Sequence, residues 1–277
     1  MKIGFMQGRL SKIERGRIQS FPFSNWTNEF TLAKKNNFKI IEWTIDSFKI
    51  DENPILTKKG IHKIKYLKKK TGIKIDSITC DFFMENPFYK DEKEDLNSLE
   101  YLKKILIASK ILNIKYIVLP IVDFSSIKKK KEKEKLINNI KLFEKLIPNT
   151  TKILFETDFA PMENLKFIKS FNVKKFGLNY DTGNSAHLGN DVKTEMKIFF
   201  KYIDNIHIKD RKKNKSTIAL GKGDFDFKFF FKFLKSKKYS KNLILQTARS
   251  PQNRHLHLLK KNRSFINSLI NEFKTKE

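Results

Sequence analysis

The stretch MQGRLSKIERG, Met6–Gly16, follows the first apolar run of the chain, and its reading decides between two folds. An open, doubly wound α/β sheet usually places a glycine-rich phosphate loop, G-x-G-x-x-G, directly after its first strand. Here only Gly8 and Gly16 occur, and they stand too far apart for that loop. A closed parallel barrel is the other home for alternating strands and helices. Working outward, the chain supports the barrel. KIGFMQ is followed by the strand-like runs FKIIEWT, IKIDSITCDF, KYIVLPI, KILFETD, KFGLNYD, NIHIKD and LILQTAR. Between them lie longer segments with helical spacing, such as LNSLEYLKKILIASKIL and EKEKLINNIKLFEKLI. A last helix is expected from about Arg254 to Lys274. Eight β–α units, without a Gly/Pro-rich linker or a repeat of fixed period, predict an α/β fold. It is a (β/α)8 TIM barrel, expected to form a single domain over residues 1–277.

A chain of 277 residues, 39% hydrophobic with 26 phenylalanines, can fill the core that such a barrel needs. No run of eighteen apolar residues is present, so a transmembrane helix is excluded. The apolar part of MKIGFMQGRL is too short for a signal peptide. Cys80 is the one cysteine, which excludes an intramolecular disulfide and a cysteine-built zinc site. A cytoplasmic protein with no membrane partner is expected. The net charge of +28 raises nucleic acid as a partner. Its makeup argues otherwise, because only seven of the 58 basic residues are arginine, the bidentate reader of phosphates and guanines. Lysine runs such as KKKKEKEK, Lys128–Lys135, read as solvated helix faces.

In a parallel barrel, functional side chains gather at the C-terminal strand ends and in the loops that follow. The first expected strand ends in Gln7, Gly8 and Arg9, and the second in Glu42 and Trp43. The fifth to eighth end in Glu156, Asp181, His207 and Gln246. Their spacings are those of successive βα units, so four side chains can converge on the mouth. Two carboxylates, one imidazole nitrogen and one amide oxygen suit a divalent ion: Mn²⁺, Mg²⁺, Co²⁺ or Zn²⁺. A buried carboxylate pair without a cation is costly. Any one of the four could simply hydrogen-bond its own loop; their coincidence at matching strand ends points to a metal.

These segments resemble a known family. IGFMQGRLS, FPFSNWTNEFTLAKKNNFKIIEW, YDTGNSAHLG, IHIKDR, LGKGDFDF and LQTARS are similar to the xylose-isomerase-like barrels, in particular their sugar phosphate isomerase/epimerase branch. The resemblance covers nearly the whole chain. It implies metal ligation by Glu156, Asp181 and His207, with a fourth ligand that is usually glutamate and here is Gln246. It also implies that the glutamates of strands five and eight serve as acid/base groups on opposite faces of the sugar. An amide accepts no substrate proton at neutral pH, so two-base inversion at one carbon lacks a partner. A one-base isomerisation through a metal-polarised carbonyl and a cis-enediolate remains open, with Glu156 as base. So does a metal-assisted hydride shift. Glu42 and Asp210 are the candidates for a second acid/base.

Further residues are expected around the pocket. Lys209, Asp210 and Arg211 follow His207 closely, and Lys209 joins Glu156 as a catalytic candidate. Arg9 and Arg249, each just past a strand end, suggest an anionic substrate such as a sugar phosphate or sugar acid. Gln7, Glu42, Asn184, His187, Asp210 and Arg211 complete the expected substrate contacts. Trp43, Phe82 and Phe83 are expected to form an apolar wall, and His62, His255 and His257 to lie on solvated helices. The leading expectation is a divalent-metal-dependent isomerase or epimerase of a small carbohydrate. A non-catalytic metal- and sugar-binding barrel is the alternative, because of Gln246. An apurinic endonuclease-like phosphodiesterase would need additional histidines that TCDFF and VLPIV do not supply. Whether the barrel pairs into a homodimer stays open.

Overall fold

Alternation along one strand shows how the molecule is layered. Successive side chains of a strand point to opposite faces. In Ile41–Ile45, Glu42 reaches across the interior to His207, while its neighbour Trp43 packs outward on Trp26 of the first helix. The computed structural model describes residues 1–90, 93–250 and 252–272. Its sheet is a closed barrel of parallel strands. They are β1 (Lys2–Met6), β2 (Ile41–Ile45), β3 (Ser77–Cys80) and β4 (Tyr116–Ile121), then β5 (Lys152–Thr157), β6 (Phe176–Asp181), β7 (Ile203–Ile208) and β8 (Asn242–Leu245). Spatial order follows chain order, and β1 closes on β8 from Lys2 opposite Asn242 to Phe5 opposite Leu245. The expected TIM barrel is therefore the fold of this chain.

The long helices between strands are α1 (Trp26–Lys35), α2 (Lys58–Thr71), α3 (Leu96–Leu112) and α4 (Lys130–Leu142), then α5 (Pro161–Lys169), α6 (Val192–Phe199), α7 (Phe227–Ser236) and α8 (His255–Glu272). Their limits have local causes. Asp95 accepts from the amides of Asn97 and Ser98 and caps α3, a contact worth about 1 kcal/mol. The last helix starts one residue later than expected and is described to Glu272; Phe273 and Lys274 lie outside the described residues. Among the described residues, no helix is long and apolar enough to cross a membrane.

Trp43, Phe82 and Phe83 are buried in the core between barrel and helices, where Phe83 stacks on Phe88. His62 is exposed, but His255 is buried beside Arg9 and Arg249, so the expectation of a solvated His255 is corrected. The helical spacing around it showed a polar residue in a Lys-rich segment, not that its own face turns to the barrel.

One irregularity positions the site. Between Leu178 and Asn179 the β6–β7 register shifts: Leu178 stands opposite Ile203, yet Asn179 stands opposite Asn205. Asp204 is the extra residue, and a bulge of this kind re-aims every side chain beyond it. Its carboxylate accepts from Lys152 and Lys241 below the barrel. Past the bulge, Asp181 stands directly opposite His207.

Candidate metal centre

Three strand ends bring Glu156, Asp181 and His207 together, each buried, with one potential ligand atom apiece lying within 4.8 Å of the others. Among the described residues this is the one such group of His, Cys, Asp or Glu. Asp181 divides its two oxygens. Oδ1 accepts from the amides of Gly183 (2.7 Å) and Asn184 (2.9 Å), capping the short helix Thr182–Leu188. Oδ2 stays on the cavity side, 3.4 Å from Lys209 Nζ. Lys209 lies across Gly183 so closely that a Cβ there would come 2.6 Å from its Cγ; only glycine permits the approach.

Glu156 is held from both sides. Asn184 Nδ2 donates to Oε1 (2.8 Å) and Asn179 Nδ2 to Oε2 (2.6 Å). Below it runs a buried polar chain: Asn205 donates to Asn179 Oδ1 and to Glu42 Oε2, and Ser77 Oγ donates to the same Glu42 oxygen. Buried polar groups linked in this way favour one arrangement of the strands, although Asn205 Oδ1 has no hydrogen-bond partner among the described residues.

His207 faces two carboxylates. Its Nε2 lies 2.6 Å from Glu42 Oε1, and both side chains are fully excluded from solvent. Burial works against a charge on the ring, yet Glu42 and Glu156 outweigh it and push its pKa well above the ordinary value. Nδ1 stands 3.0 Å from Glu156 Oε2 in an ion-pair contact, but among the described residues this buried nitrogen has no aligned hydrogen-bond partner. A histidine whose outer nitrogen is tied to a carboxylate, with its inner nitrogen unpartnered beside two more carboxylates, has the form of a metal ligand with its orienting group. The donor set, two oxygens and a nitrogen without sulfur, fits a divalent ion. The Glu–Asp–His group could therefore hold a metal.

Gln246 reaches the same mouth from β8. Its Nε2 donates to Gln19 Oε1 (3.0 Å), and its own Oε1 is buried without a hydrogen-bond partner among the described residues. Gln19 also accepts from Arg9 (3.3 Å) and donates to Asp81 Oδ2. Loss of hydration, opposed by the Gln19 bond and helped by the charge of Glu156, pushes the Asp81 carboxyl up to about 7.

The other expected contacts separate into those near this group and those away from it. Asn184 and Lys209 touch it. Glu42 stands behind His207 with both oxygens engaged. Gln7 accepts from the amide of Thr44 and leaves Nε2 buried and unpartnered. Asp210 Oδ2 accepts from the amides of Gly221 (2.8 Å) and Gly223 (2.9 Å), folding the loop after β7 onto itself. Arg211 bonds the carbonyl of Lys215, and His187 lies on the short helix whose end meets that same turn at Asn214. Arg9 is buried and donates to the carbonyls of Thr247 and Ile18; burial and the nearby Arg249 push it down to about 9. Arg249 donates to the carbonyl of Ser11 (2.6 Å), while its Nε is buried without a hydrogen-bond partner among the described residues.

Sequence reading missed Asn179, Asn205, Gln19 and Asp81. The first two had a signal: each lies two residues before a strand-end residue, on the same strand face. Gln19 had none, because a loop of more than ten residues separates it from β1.

Residues 30–269 match the model of a family described as xylose isomerase-like TIM barrel. The chain belongs to that family. Solved structures share its architecture at low identity. A D-psicose 3-epimerase from Clostridium cellulolyticum H10, crystallised with D-tagatose, is 12% identical. It superposes with a TM-score of 0.76 over 98% of this chain and 99% of its own. The IolI protein with a bound zinc atom is 16% identical, with a TM-score of 0.74 over 99% of this chain and 100% of its own. The 3-keto-D-glucoside 4-epimerase of E. coli is also 16% identical, with a TM-score of 0.67 over 95% and 99% of the two chains. No curated protein sequence matches the chain. At such identities the superpositions show a common fold alone. Structural neighbours of this xylose isomerase-like barrel include sugar epimerases, and the IolI neighbour holds a zinc atom.

Proposed function

We propose that the protein is a single-domain, cytoplasmic, divalent-metal-dependent isomerase or epimerase of a small carbohydrate. The observation that carries this reading is the buried Glu156–Asp181–His207 group with His207 Nδ1 left unpartnered among carboxylates. Gln246 would supply a fourth ligand through its side-chain oxygen. A divalent ion bound there would polarise a carbonyl of the substrate and acidify the adjacent C–H.

The chain's own residues then have distinct tasks. Glu156 takes the proton from the carbon beside the carbonyl and returns it, its two oxygens aimed by Asn179 and Asn184. Lys209 donates to the substrate oxygen that gains charge as the proton leaves. Gln246 cannot act as a base, so Glu156 alone moving a proton between neighbouring carbons is the favoured chemistry. The reading extends to an anionic substrate, a sugar phosphate or sugar acid, on one further observation. Arg249 Nε is buried without an acceptor, whereas the guanidinium of Arg9 is engaged by two main-chain carbonyls and Gln19.

The test is solvent exchange. Metal-stripped protein reloaded with Mg²⁺ is incubated in D₂O with ketoses, aldoses and their phosphates, and followed by NMR. Deuterium entering next to a carbonyl, reduced roughly a thousandfold in Glu156→Gln, is the expected result. Product without deuterium would move the reaction to a hydride shift. Tight metal binding with neither product nor exchange across the panel would favour the non-catalytic barrel.

A further inference from the structure

The amides at the mouth form a chain whose direction is fixed at its ends. An amide's oxygen and nitrogen are alike in shape, so orientation follows from what each end can donate or accept. Arg9 has donors only, and its Nη2 meets one end of the Gln19 side chain. That end must be the oxygen. The other end meets Asp81 Oδ2, which only accepts when ionised, and that end is then the nitrogen. The two constraints agree. Gln246 approaches the Gln19 oxygen, 3.0 Å away, and can do so only with its own NH₂. Its oxygen is thereby turned away from Gln19 and left buried without a partner.

We propose that Gln19 is a positioning residue that turns the side-chain oxygen of Gln246 toward the Glu156–Asp181–His207 group, with Arg9 and Asp81 fixing its own direction. The inference rests on the metal reading above. Without Gln19, the Gln246 amide can rotate and present NH₂, which ligates no cation, to the site. The arrangement also accounts for an amide at 246. A carboxylate there would place its oxygen against that of Gln19, and reversing Gln19 would turn its NH₂ on Arg9 and its oxygen on Asp81. Amide at 246 and carboxylate at 81 are thus two parts of one arrangement, in which the negative charge sits on β3's end and the neutral ligand on β8's.

The experiment titrates metal-free protein with Co²⁺, read by visible absorption, with Mn²⁺ affinity by calorimetry and thermal melting as a check on folding. Gln246→Ala and Gln19→Leu should each weaken Co²⁺ binding by about tenfold or more. The double variant should lose no more than Gln246→Ala alone, since both changes remove the same ligand. The rescue is Gln19→Glu with Asp81→Asn, which exchanges the charge between the two positions. In that pair the new carboxylate at position 19 would accept from both Arg9 and Gln246, and the new amide at position 81 would donate to it. Affinity and spectrum should then return to wild type. Wild-type affinity in Gln19→Leu, beside a weakened Gln246→Ala, would overturn the inference and leave the metal reading intact. Losses that add fully in the double variant, or no rescue, would also overturn it. No Co²⁺ or Mn²⁺ binding by the wild type would sink the metal reading itself, and the inference with it.

Discussion

The two halves of the barrel mouth are built differently. On the β5–β8 side, polar groups sit on the strands, and strand register fixes their separation: Asp181 faces His207 because the ladder puts it there. On the β1–β3 side, Glu42 and Asp81 stand on or just past strands, but Gln19, the group that meets Gln246, comes from a loop that folds back over the mouth. Gln19 lies within the segment between β1 and α1, and side-chain contacts hold that segment down. Arg15 pairs with Asp46 at 2.9 Å and covers the ring of Phe48, and Arg17 pairs with Glu85. A site made on strands inherits the rigidity of the sheet, whereas one made on a returning loop depends on a few side chains. The candidate ligands with charge lie on the rigid side. The neutral one, Gln246, leans on the loop.

That contrast can be broken most forcefully at Glu42, the β2 residue that reaches across the interior to His207 on the rigid side. Glu42→Gln leaves the shape of the barrel interior but removes the carboxylate that holds His207 Nε2, and metal affinity is expected to fall about 10- to 100-fold. Mn²⁺ calorimetry measures it. Unchanged affinity would mean that the ring is held by packing and not by Glu42.

A smaller effect is expected from the loop side, and it depends on pH. The Asp81 carboxyl ordinarily titrates at 3.8 and is raised here to about 7. The folded protein therefore holds this proton more tightly than the unfolded chain. The stability it contributes is fully present below about 4 and is lost as pH rises through about 7. Asp81→Asn removes that loss, so the metal-free variant should exceed wild type in urea midpoint at pH 8, with the gap narrowing toward pH 4. Parallel profiles would show that Asp81 is better solvated than its setting suggests.

Least of all is expected from Arg15→Ala. Arg15 is part-exposed, and such a pair contributes up to about 1 kcal/mol. A small drop in urea midpoint, with metal affinity retained, would sharpen the distinction between the halves. A large loss of affinity would show that the loop as a whole, and not Gln19 alone, orders the site.

The same division governs what could be read from the sequence. Strand-end residues announce themselves by ending an apolar run, so Glu156, Asp181, His207 and Gln246 were legible from spacing, and the barrel with them. Asn179 and Asn205 were legible in principle from alternation. Gln19 was not, because nothing local tells a loop which of its polar residues will return to the mouth. Asp81 closes its strand as visibly as the others, but its meaning depends on Gln19. Asp210 followed His207 closely enough to suggest a role at the pocket, yet its carboxylate spans two glycine amides of its own loop; proximity in sequence does not fix which way a side chain turns past a strand end.

The extra residue at Asp204 carries one more consequence. It sits at the floor of the barrel, anchored by two lysines, while the side chains whose alignment it determines stand at the opposite rim. The strand acts as a counting rod, with its zero mark at one end and its reading at the other. Pairing Asp204 with Asn179, so that no residue bulges out, would shift the reading by one, turning His207 from the interior to the helix layer while leaving eight strands to close as before. Such a protein could keep its fold and lose its centre. The place to look for silent inactivation in this barrel is therefore its base, far from the candidate metal centre.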